Sequence, residues 1–192
     1  MKNIYLMRHA QSEANAKKII AGHLDFPLSA KGHQEASDAA SSFEENIDVI
    51  FTSTLVRTIQ TAAPFAAKFA VPLIPRAELM EHNLGKFAGM TEQEMNAAPD
   101  YEHNKSARWE WFPPDGGESY KQVADRLIKF FVELEKSPYN SVFIVTHAIA
   151  LRLIKGLMLN TLPVYPTDLA INASIIKIPF EGVGITHTIS IL

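Results

Sequence analysis

Four short groups of reactive side chains carry the chemistry that this sequence could perform. Each group follows an apolar run of the chain, and the groups are Arg8-His9, Ser53 with Arg57, Glu81, and Thr146-His147. Two arginines and two histidines facing one pocket would bind a dianion strongly, because the fork of an arginine matches phosphate oxygens. A neutral histidine could attack phosphorus there, and a carboxylic acid could protonate the leaving oxygen. The groups therefore predict a phosphoryl-transfer site, provided that the fold brings them together.

The elements that must position these groups alternate between strand and helix. The predicted strands are residues 2–7, 47–51, 71–75, 141–145, 173–178 and 184–192. Predicted helices follow Ser29, Ser53, Ser119 and His147, and Pro64 is expected to kink or interrupt the second of them. This alternation predicts an α/β fold, a three-layer α/β/α sandwich with a mostly parallel central sheet. Ligands bind such sheets at the carboxyl ends of the strands, which is where the four groups lie.

Residues 1–192 are expected to form a single domain, with an irregular helical insert at about 82–118 over the site. Glycines and prolines are frequent in this insert, and Thr91 opens a short helix with a capping box. An aromatic cluster lies near its end and consists of Trp109, Trp111 and Phe112. Core packing under the insert is the favoured interpretation of this cluster, and a substrate-facing wall is the alternative.

Composition narrows the class of protein. The 192 residues carry a formal net charge of −3 and no cysteine, which excludes disulfides, thiolate catalysis and cysteine-based zinc sites. No basic block indicates a nucleic-acid or membrane partner, and no apolar run is long enough to span a bilayer. The N-terminal residues lack the features of a signal peptide. A cytoplasmic protein with a small-molecule partner is expected.

Six blocks of the sequence resemble, in order, those of the histidine phosphatase superfamily, in its phosphoglycerate mutase-like branch. The first is the run from Leu6 to Asn15, which contains Arg8-His9-Ala10 and is similar to the Arg-His-Gly signature. The other blocks are residues 22–34, 53–62, 79–89, 116–119 and 145–147. Any one block alone would be a weak match, whereas six in order along most of the chain are a strong one.

The resemblance implies a role for each reactive residue. His9 is expected to be the nucleophile that becomes phosphorylated, and Glu81 the proton donor, in preference to its neighbours Glu78 and Glu92. The phosphoryl group is expected to be bound by Arg8, Asn15, Ser53, Arg57, His147 and Ala148. Members of this family need no metal or other cofactor for the reaction. Ala10 and Ala148 replace the usual glycines, and we expect them to be tolerated because the ionic residues are present.

Two other functions compete with a metal-independent phosphatase for small phosphomonoesters. A cofactor-dependent phosphoglycerate mutase would resemble the chain in its core blocks, but mutases carry a longer insert and a Glu-Arg-His-Tyr-Gly run. Here that run is Glu81-His82-Asn83-Leu84-Gly85, without the tyrosine, which favours hydrolysis. A non-catalytic domain that binds phosphorylated ligands is the alternative of another class, and the complete set of reactive residues argues against it.

The remaining histidines are assigned from their neighbours. His23, His33, His82 and His103 are expected at the surface, and His187 in a structural position. Because His82 adjoins Glu81, contact of His82 with the substrate is the alternative. A metal site of His9, His82 and His147 is disfavoured, because the arginines in the same pocket would repel a cation.

Overall fold

The computed structural model describes residues 1–167 and 171–192. Its centre is a six-stranded sheet in the order β3-β2-β4-β1-β5-β6. The strands are β1 Lys2–Arg8, β2 Val49–Thr52, β3 Leu73–Pro75, β4 Ser141–Thr146, β5 Ile175–Phe180 and β6 Ser190–Ile191. The first four are mutually parallel, and β5 and β6 add an antiparallel edge. The predicted mostly parallel sheet is confirmed.

The register of the parallel strands brings their carboxyl ends level. Arg8 at the end of β1 is paired with Thr146 at the end of β4. Thr52 at the end of β2 is paired with Val145 on one side and Pro75 on the other. Residues that follow these strands therefore emerge at one edge of the sheet.

Helices cover both faces of the sheet. They are α1 Glu13–Ala16, α2 Ala30–Ser42, α3 Val56–Phe69, α4 Glu92–Ala97, α5 Tyr120–Glu135 and α6 Ala148–Met158. Because side chains alternate along a strand, Ile4 and Leu6 of β1 pack with α5 and α6. Tyr5 and Met7 pack on the opposite face with α2 and α3. The three-layer sandwich is therefore confirmed.

Helix α3 differs from its prediction in two ways. It begins at Val56 rather than at Ser53, and it runs through Pro64 without interruption. A proline inside a helix removes one hydrogen bond and costs about 3 kcal/mol. The flanking side chains of Ala62 and Phe65 are fully buried against the sheet, and this packing offsets the loss.

The last predicted strand is also shorter than expected. Only Ser190–Ile191 pairs with β5, whereas residues 184–192 were predicted to be extended. The backbone amide of His187 instead donates to the carbonyl of Met158 at the end of α6. The His187 ring accepts a hydrogen bond from the amide of Glu181, which agrees with its expected structural position.

The segment from residue 82 to 118 contains α4 and two 3-10 turns, Gly85–Phe87 and Ala107–Trp109. Trp109 packs against the core, and the Trp111 ring contacts Phe87 and Tyr101. Phe112 is 52% exposed, so the predicted core role is wrong for this third member of the cluster. Nothing in the sequence distinguishes Phe112 from the two tryptophans beside it. Within the described ranges, no helix is long and apolar enough to cross a membrane.

Candidate functional site

A cavity of about 980 Å³ opens at the carboxyl end of the parallel strands. Six of the predicted site residues line it, namely Arg8, His9, Asn15, Arg57, Glu81 and Ala148. The other two, Ser53 and His147, are fully buried directly behind His9. The rings of His9 and His147 meet edge to face, with centroids 5.2 Å apart. The structure thus brings the predicted residues together at one place.

Hydrogen bonds fix the position of His9 and determine which of its ring nitrogens carries the proton. Its backbone amide donates to the Thr146 carbonyl of β4 at 2.9 Å. Its Nδ1 lies 2.7 Å from the Ala10 carbonyl, which can only accept, so Nδ1 carries the proton and Nε2 carries the lone pair. Burial, and then the positive charges of Arg57 and Arg8, hold the pKa of His9 well below its usual range. The imidazole is therefore neutral, as a nucleophile must be.

Arg57 lies on the first turn of α3 and is fully buried. Its two terminal amino groups donate to the carbonyls of Leu24 and Gly22, at 2.9 and 2.8 Å. Gly22 can turn its carbonyl this way because it has a φ of +50°, a conformation that favours glycine. Carbonyl oxygens orient the guanidinium without neutralising it, so its charge remains available to an anion in the cavity.

His147 and Ser53 form a hydrogen-bonded unit with Arg57. The Nε of Arg57 donates to His147 Nδ1 at 3.3 Å, so the other ring nitrogen carries the proton and donates to Ser53 Oγ at 2.8 Å. Burial, followed by the charge of Arg57, holds the pKa of His147 well below its usual range. In this arrangement Ser53 orients His147 from behind and does not line the cavity wall.

Glu81 places its carboxylate on the N-terminus of α6. One carboxylate oxygen accepts hydrogen bonds from the amides of Ile149, Ala150 and His82, at 3.1, 3.2 and 3.0 Å. A helix N-terminus is a favourable site for a negative group. The backbone carbonyl of Glu81 is held in turn by Arg126 at 2.9 Å. A rigidly placed carboxyl group at the cavity wall can exchange protons with a bound substrate.

The two rival carboxylates are placed differently from Glu81. Glu78 is paired with Arg76 at 2.9 Å, outside the residues that line the cavity. Glu92 lines the outer part of the cavity, on the first turn of α4. Of the three, Glu81 is the one beside Arg8 and Arg57, whose guanidinium groups interact with its charge.

The alanine that replaces a glycine after His9 does not crowd the cavity. Ala10 is fully buried and packs with Leu28 and Ala36, and it is absent from the cavity lining. The Ala148 methyl does line the cavity, at the first position of α6. Neither residue has the positive φ that would require glycine.

Sequence reasoning missed two side chains that hold the nucleophile segment. Thr61 of α3 accepts a hydrogen bond from the Ala10 amide at 3.0 Å and donates to the Arg57 carbonyl at 2.7 Å. The Asn172 amide donates to the His9 carbonyl at 2.6 Å. The block at residues 53–62 contains Thr61, but only the three-dimensional structure shows what its hydroxyl contacts.

The expectation that His82 lies at the surface is wrong. The residue is 1% exposed, its Nε2 donates to the Glu118 carbonyl, and its ring packs against Tyr120 with centroids 4.9 Å apart. Burial lowers the pKa of His82. Its neighbours Glu81 and Asn83 are polar, so the sequence carries no sign of burial here. Among the described side chains, no group of three or more histidines and carboxylates is arranged to hold a metal.

Comparisons with known proteins agree with this geometry. The model of the histidine phosphatase superfamily (branch 1) matches residues 4–188. A putative phosphoserine phosphatase 2 of Hydrogenobacter thermophilus is 30% identical, over 95% of this chain and 91% of the relative. A 2,3-bisphosphoglycerate-dependent phosphoglycerate mutase of Cytophaga hutchinsonii is 29% identical, over 88% of this chain and 82% of the relative.

A solved structure shares the whole fold. A mycobacterial glucosyl-3-phosphoglycerate phosphatase in complex with VO3 superposes with a TM-score of 0.85 at 22% identity, covering 100% of this chain and 98% of that one. Because the family model spans nearly all of the sequence, the chain belongs to branch 1 of the histidine phosphatase superfamily.

Proposed function

We propose that this histidine phosphatase hydrolyses small phosphate monoesters in two steps, through a phosphohistidine on His9. Its family and its phosphatase-named relative make it a phosphoric monoester hydrolase. The observation that carries the residue assignment is the state of His9, a neutral imidazole with Nε2 unprotonated. It shares one cavity with two arginines and a carboxyl group.

In the first step, Nε2 of His9 attacks phosphorus and the bond from phosphorus to the ester oxygen breaks. The departing oxygen takes a proton from Glu81, the carboxyl group at the cavity wall. Arg8 and Arg57 bind the phosphoryl oxygens, with Asn15 at the same wall and His147 behind. The positive charges of Arg8 and Arg57 are in place before the reaction, and they stabilise the negative charge of the transition state.

In the second step, the Glu81 carboxylate takes a proton from water, and the water oxygen attacks phosphorus. The bond to Nε2 breaks, which returns His9 as a neutral imidazole and releases inorganic phosphate. Glu81 is protonated again, so each turnover consumes one water and leaves the enzyme unchanged. The Ala10 carbonyl stabilises the phosphohistidine because it still accepts the Nδ1 proton.

A phosphoglycerate mutase is the second candidate, and a relative of that name favours it. Its catalytic cycle would start with a phosphorylated His9 and return the phosphoryl group to the sugar acid rather than to water. The run from Glu81 to Gly85 lacks the tyrosine that mutases carry, and hydrolysis remains the better-supported function. Incubation with 3-phosphoglycerate and a catalytic amount of 2,3-bisphosphoglycerate separates the two, since a mutase yields 2-phosphoglycerate and a phosphatase yields phosphate.

The test of the proposal is turnover of p-nitrophenyl phosphate in EDTA. We expect turnover by the unmodified enzyme, and His9→Ala to lower kcat by about 10⁴-fold or more. A quench in alkaline detergent, in which the N–P bond of a phosphohistidine is stable, should trap up to one phosphoryl group per chain on His9. The matched control is His33→Ala, because His33 is exposed on α2 and absent from the cavity lining.

Three results would count against the proposal: equal loss in both variants, loss of activity in EDTA, or no turnover of any phosphate ester. The last of these would favour the non-catalytic binding domain. The predicted cytoplasmic location stays a prediction.

A further inference from the structure

His23 lies between the two residues that orient the phosphate-binding arginine. Arg57 donates its terminal amino groups to the carbonyls of Leu24 and Gly22, the residues on either side. The ring of His23 contacts a different part of the chain, and its Nε2 lies 2.6 Å from the Glu81 carbonyl. A carbonyl can only accept, so Nε2 carries the proton and donates it. One short segment is thereby bonded both to the arginine that binds phosphate and to the backbone of the proton donor.

The prediction that His23 lies at the surface is correct only in part. Its side chain is 32% exposed, and it lies outside the set of residues that line the cavity. Gly22 and Glu81, to which it is joined by the chain and by the hydrogen bond, are both members of that set. His23 therefore does not contact a ligand in the cavity, and its effect on the reaction must pass through a residue that does.

The Glu81 carbonyl is also held by α5. Arg126 donates to it at 2.9 Å, and the Glu118 carboxylate fixes the Arg126 guanidinium at 3.1 Å. The same carboxylate accepts the amide of Asn83 at 3.0 Å. The two hydrogen bonds use both lone pairs of the carbonyl. Arg126 thus places Glu81 relative to the core, whereas His23 places it relative to the segment that orients the phosphate-binding arginine.

Protonation of the leaving group depends on the separation of these two groups. Arg57 binds the phosphoryl oxygens, while the proton of Glu81 goes to the ester oxygen on the same phosphorus. The carboxyl group must therefore lie within hydrogen-bond distance of an oxygen whose position the arginines set, and a misplacement of about 1 Å costs about 10²-fold in rate. The amides at the start of α6 hold the carboxylate end of Glu81, and His23 holds its backbone end.

From these contacts we propose that His23 is a positioning residue, which fixes the proton donor Glu81 relative to the phosphate bound by Arg57. It acts through Glu81 and supports protonation of the leaving oxygen, but it does not contribute to phosphate binding. The proposal rests on the proposed phosphatase function, since it concerns a proton transfer of that reaction.

The experiment compares a poor leaving group with a good one. Phosphoenzyme formation is measured by rapid quench with glycerol phosphate and with p-nitrophenyl phosphate. We expect His23→Leu to slow the first by about tenfold and the second by less than about twofold, because a phenolate leaves without a proton. The inhibition constant of inorganic phosphate should stay within about twofold, since Arg57 keeps both of its carbonyl partners.

Two further variants test whether the donated proton is responsible. The amide nitrogen of His23→Gln lies as many bonds from the backbone as the histidine Nε2, so it can reach the Glu81 carbonyl and should restore most of the rate. The side chain of His23→Asn is one bond shorter and should be as slow as that of His23→Leu. This pair tests the proposal even if thermal unfolding shows that His23→Leu does not fold. The matched control is His33→Leu, which removes an exposed histidine of α2 and should change neither rate.

Combination with Glu81→Gln shows whether His23 acts through the proton donor. When the acid is already absent, His23→Leu should slow the reaction of glycerol phosphate no further, because coupled residues are not additive. A further loss of about tenfold in the double variant would overturn the proposal. An equal loss with both esters in His23→Leu, or no loss with either, would do the same.

Failure of the phosphatase function gives a different result from failure of the positioning role. If the unmodified enzyme hydrolyses no phosphate ester, the function is wrong and the proposal falls with it. If Glu81→Gln slows glycerol phosphate selectively and His23→Leu does not, the function stands and only the role of His23 is wrong.

Discussion

The inner and outer ends of the same cavity are built by different parts of the fold. At the inner end, Arg8, His9 and His147 directly follow or end parallel strands, and Arg57 lies on the first turn of α3. At the outer end, Arg108 lines the cavity from a 3-10 turn of an otherwise irregular segment. Parallel strands fix the inner residues through a continuous ladder of hydrogen bonds, whereas local turns and aromatic packing place the outer one.

The two ends also differ in how many contacts hold their residues in place. The Arg8 carbonyl accepts from Ala173 at 3.1 Å, and the His9 amide and carbonyl are bonded to Thr146 and Asn172. The Arg108 side chain, by contrast, is held by one carbonyl and two aromatic neighbours. We conclude that the inner end is preorganised for chemistry, and we expect substitutions there to lower kcat. Substitutions at the outer end should act mainly on KM.

Among the predictions that test this comparison, the largest effect is expected at Glu81, at the junction of the inner and outer ends of the cavity. Glu81→Gln removes the proton donor but keeps the shape of the side chain. We expect kcat for an alkyl ester such as glycerol phosphate to fall by about 10²- to 10³-fold, because an alkoxide leaves poorly without a proton. For p-nitrophenyl phosphate the fall in phosphoenzyme formation should be less than about tenfold, since its phenolate leaves unaided.

Rapid-quench measurement of phosphoenzyme formation with both esters distinguishes this role from a structural one. A structural role would lower both rates by the same factor, and that result would contradict the assignment. Glu92→Gln is the matched control, because Glu92 lines the outer part of the cavity and is exposed. It should leave the ratio of the two rates unchanged.

The same contrast explains which features could be predicted from the sequence. The residues of the inner end follow short apolar runs, which are typical of buried strands, so their meeting at one edge follows from the predicted parallel topology. Arg108 was not identified as a cavity residue, because an arginine between glycine- and proline-rich turns shows no periodicity that would place it. Burial of His82 depends on its packing against Tyr120. The continuity of α3 through Pro64 depends on the packing of that helix against the sheet.

A smaller effect is expected from the hydroxyl that supports the nucleophile. Thr61→Val keeps the side-chain shape but leaves the buried amide of Ala10 without its acceptor. We expect kcat to fall about tenfold with KM nearly unchanged, since an unsatisfied buried donor costs about 1–3 kcal/mol and displaces His9. Thr61→Ser restores the hydroxyl and should recover most of the rate.

Thr61 is a positioning residue in this interpretation. Whether the substitution changes kcat or KM therefore matters as much as the size of the change. If Thr61→Ser were as slow as Thr61→Val, the methyl group and its packing would explain the loss. A rise in KM without a change in kcat would place the effect on substrate binding, and the inner end would then resemble the outer one.

The smallest effect concerns the dependence of stability on pH. Burial holds the pKa of His9 and of His147 well below the value of about 6.5 that each has when unfolded. Above pH 6.5 both states are neutral, so these residues do not make stability depend on pH. Below it the unfolded chain takes up protons that the folded one does not. The free energy of unfolding should therefore fall as the pH drops from about 6.5 toward the folded pKa, by up to about 1.4 kcal/mol per pH unit for each histidine.

Urea midpoints between pH 7.5 and 5 measure this slope. His9→Gln should flatten it, because one of the histidines that remain neutral in the folded state is gone, while the exposed His33→Gln should not. The acid limb of phosphoenzyme formation should likewise lie below pH 6.5, since His9 stays neutral until its own lowered pKa is reached. A slope that both variants share would mean that carboxylates, and not the buried histidines, govern the acid sensitivity. His9 would then take up a proton in the folded state as readily as in the unfolded one, and neither burial nor its two arginines would be holding its pKa down.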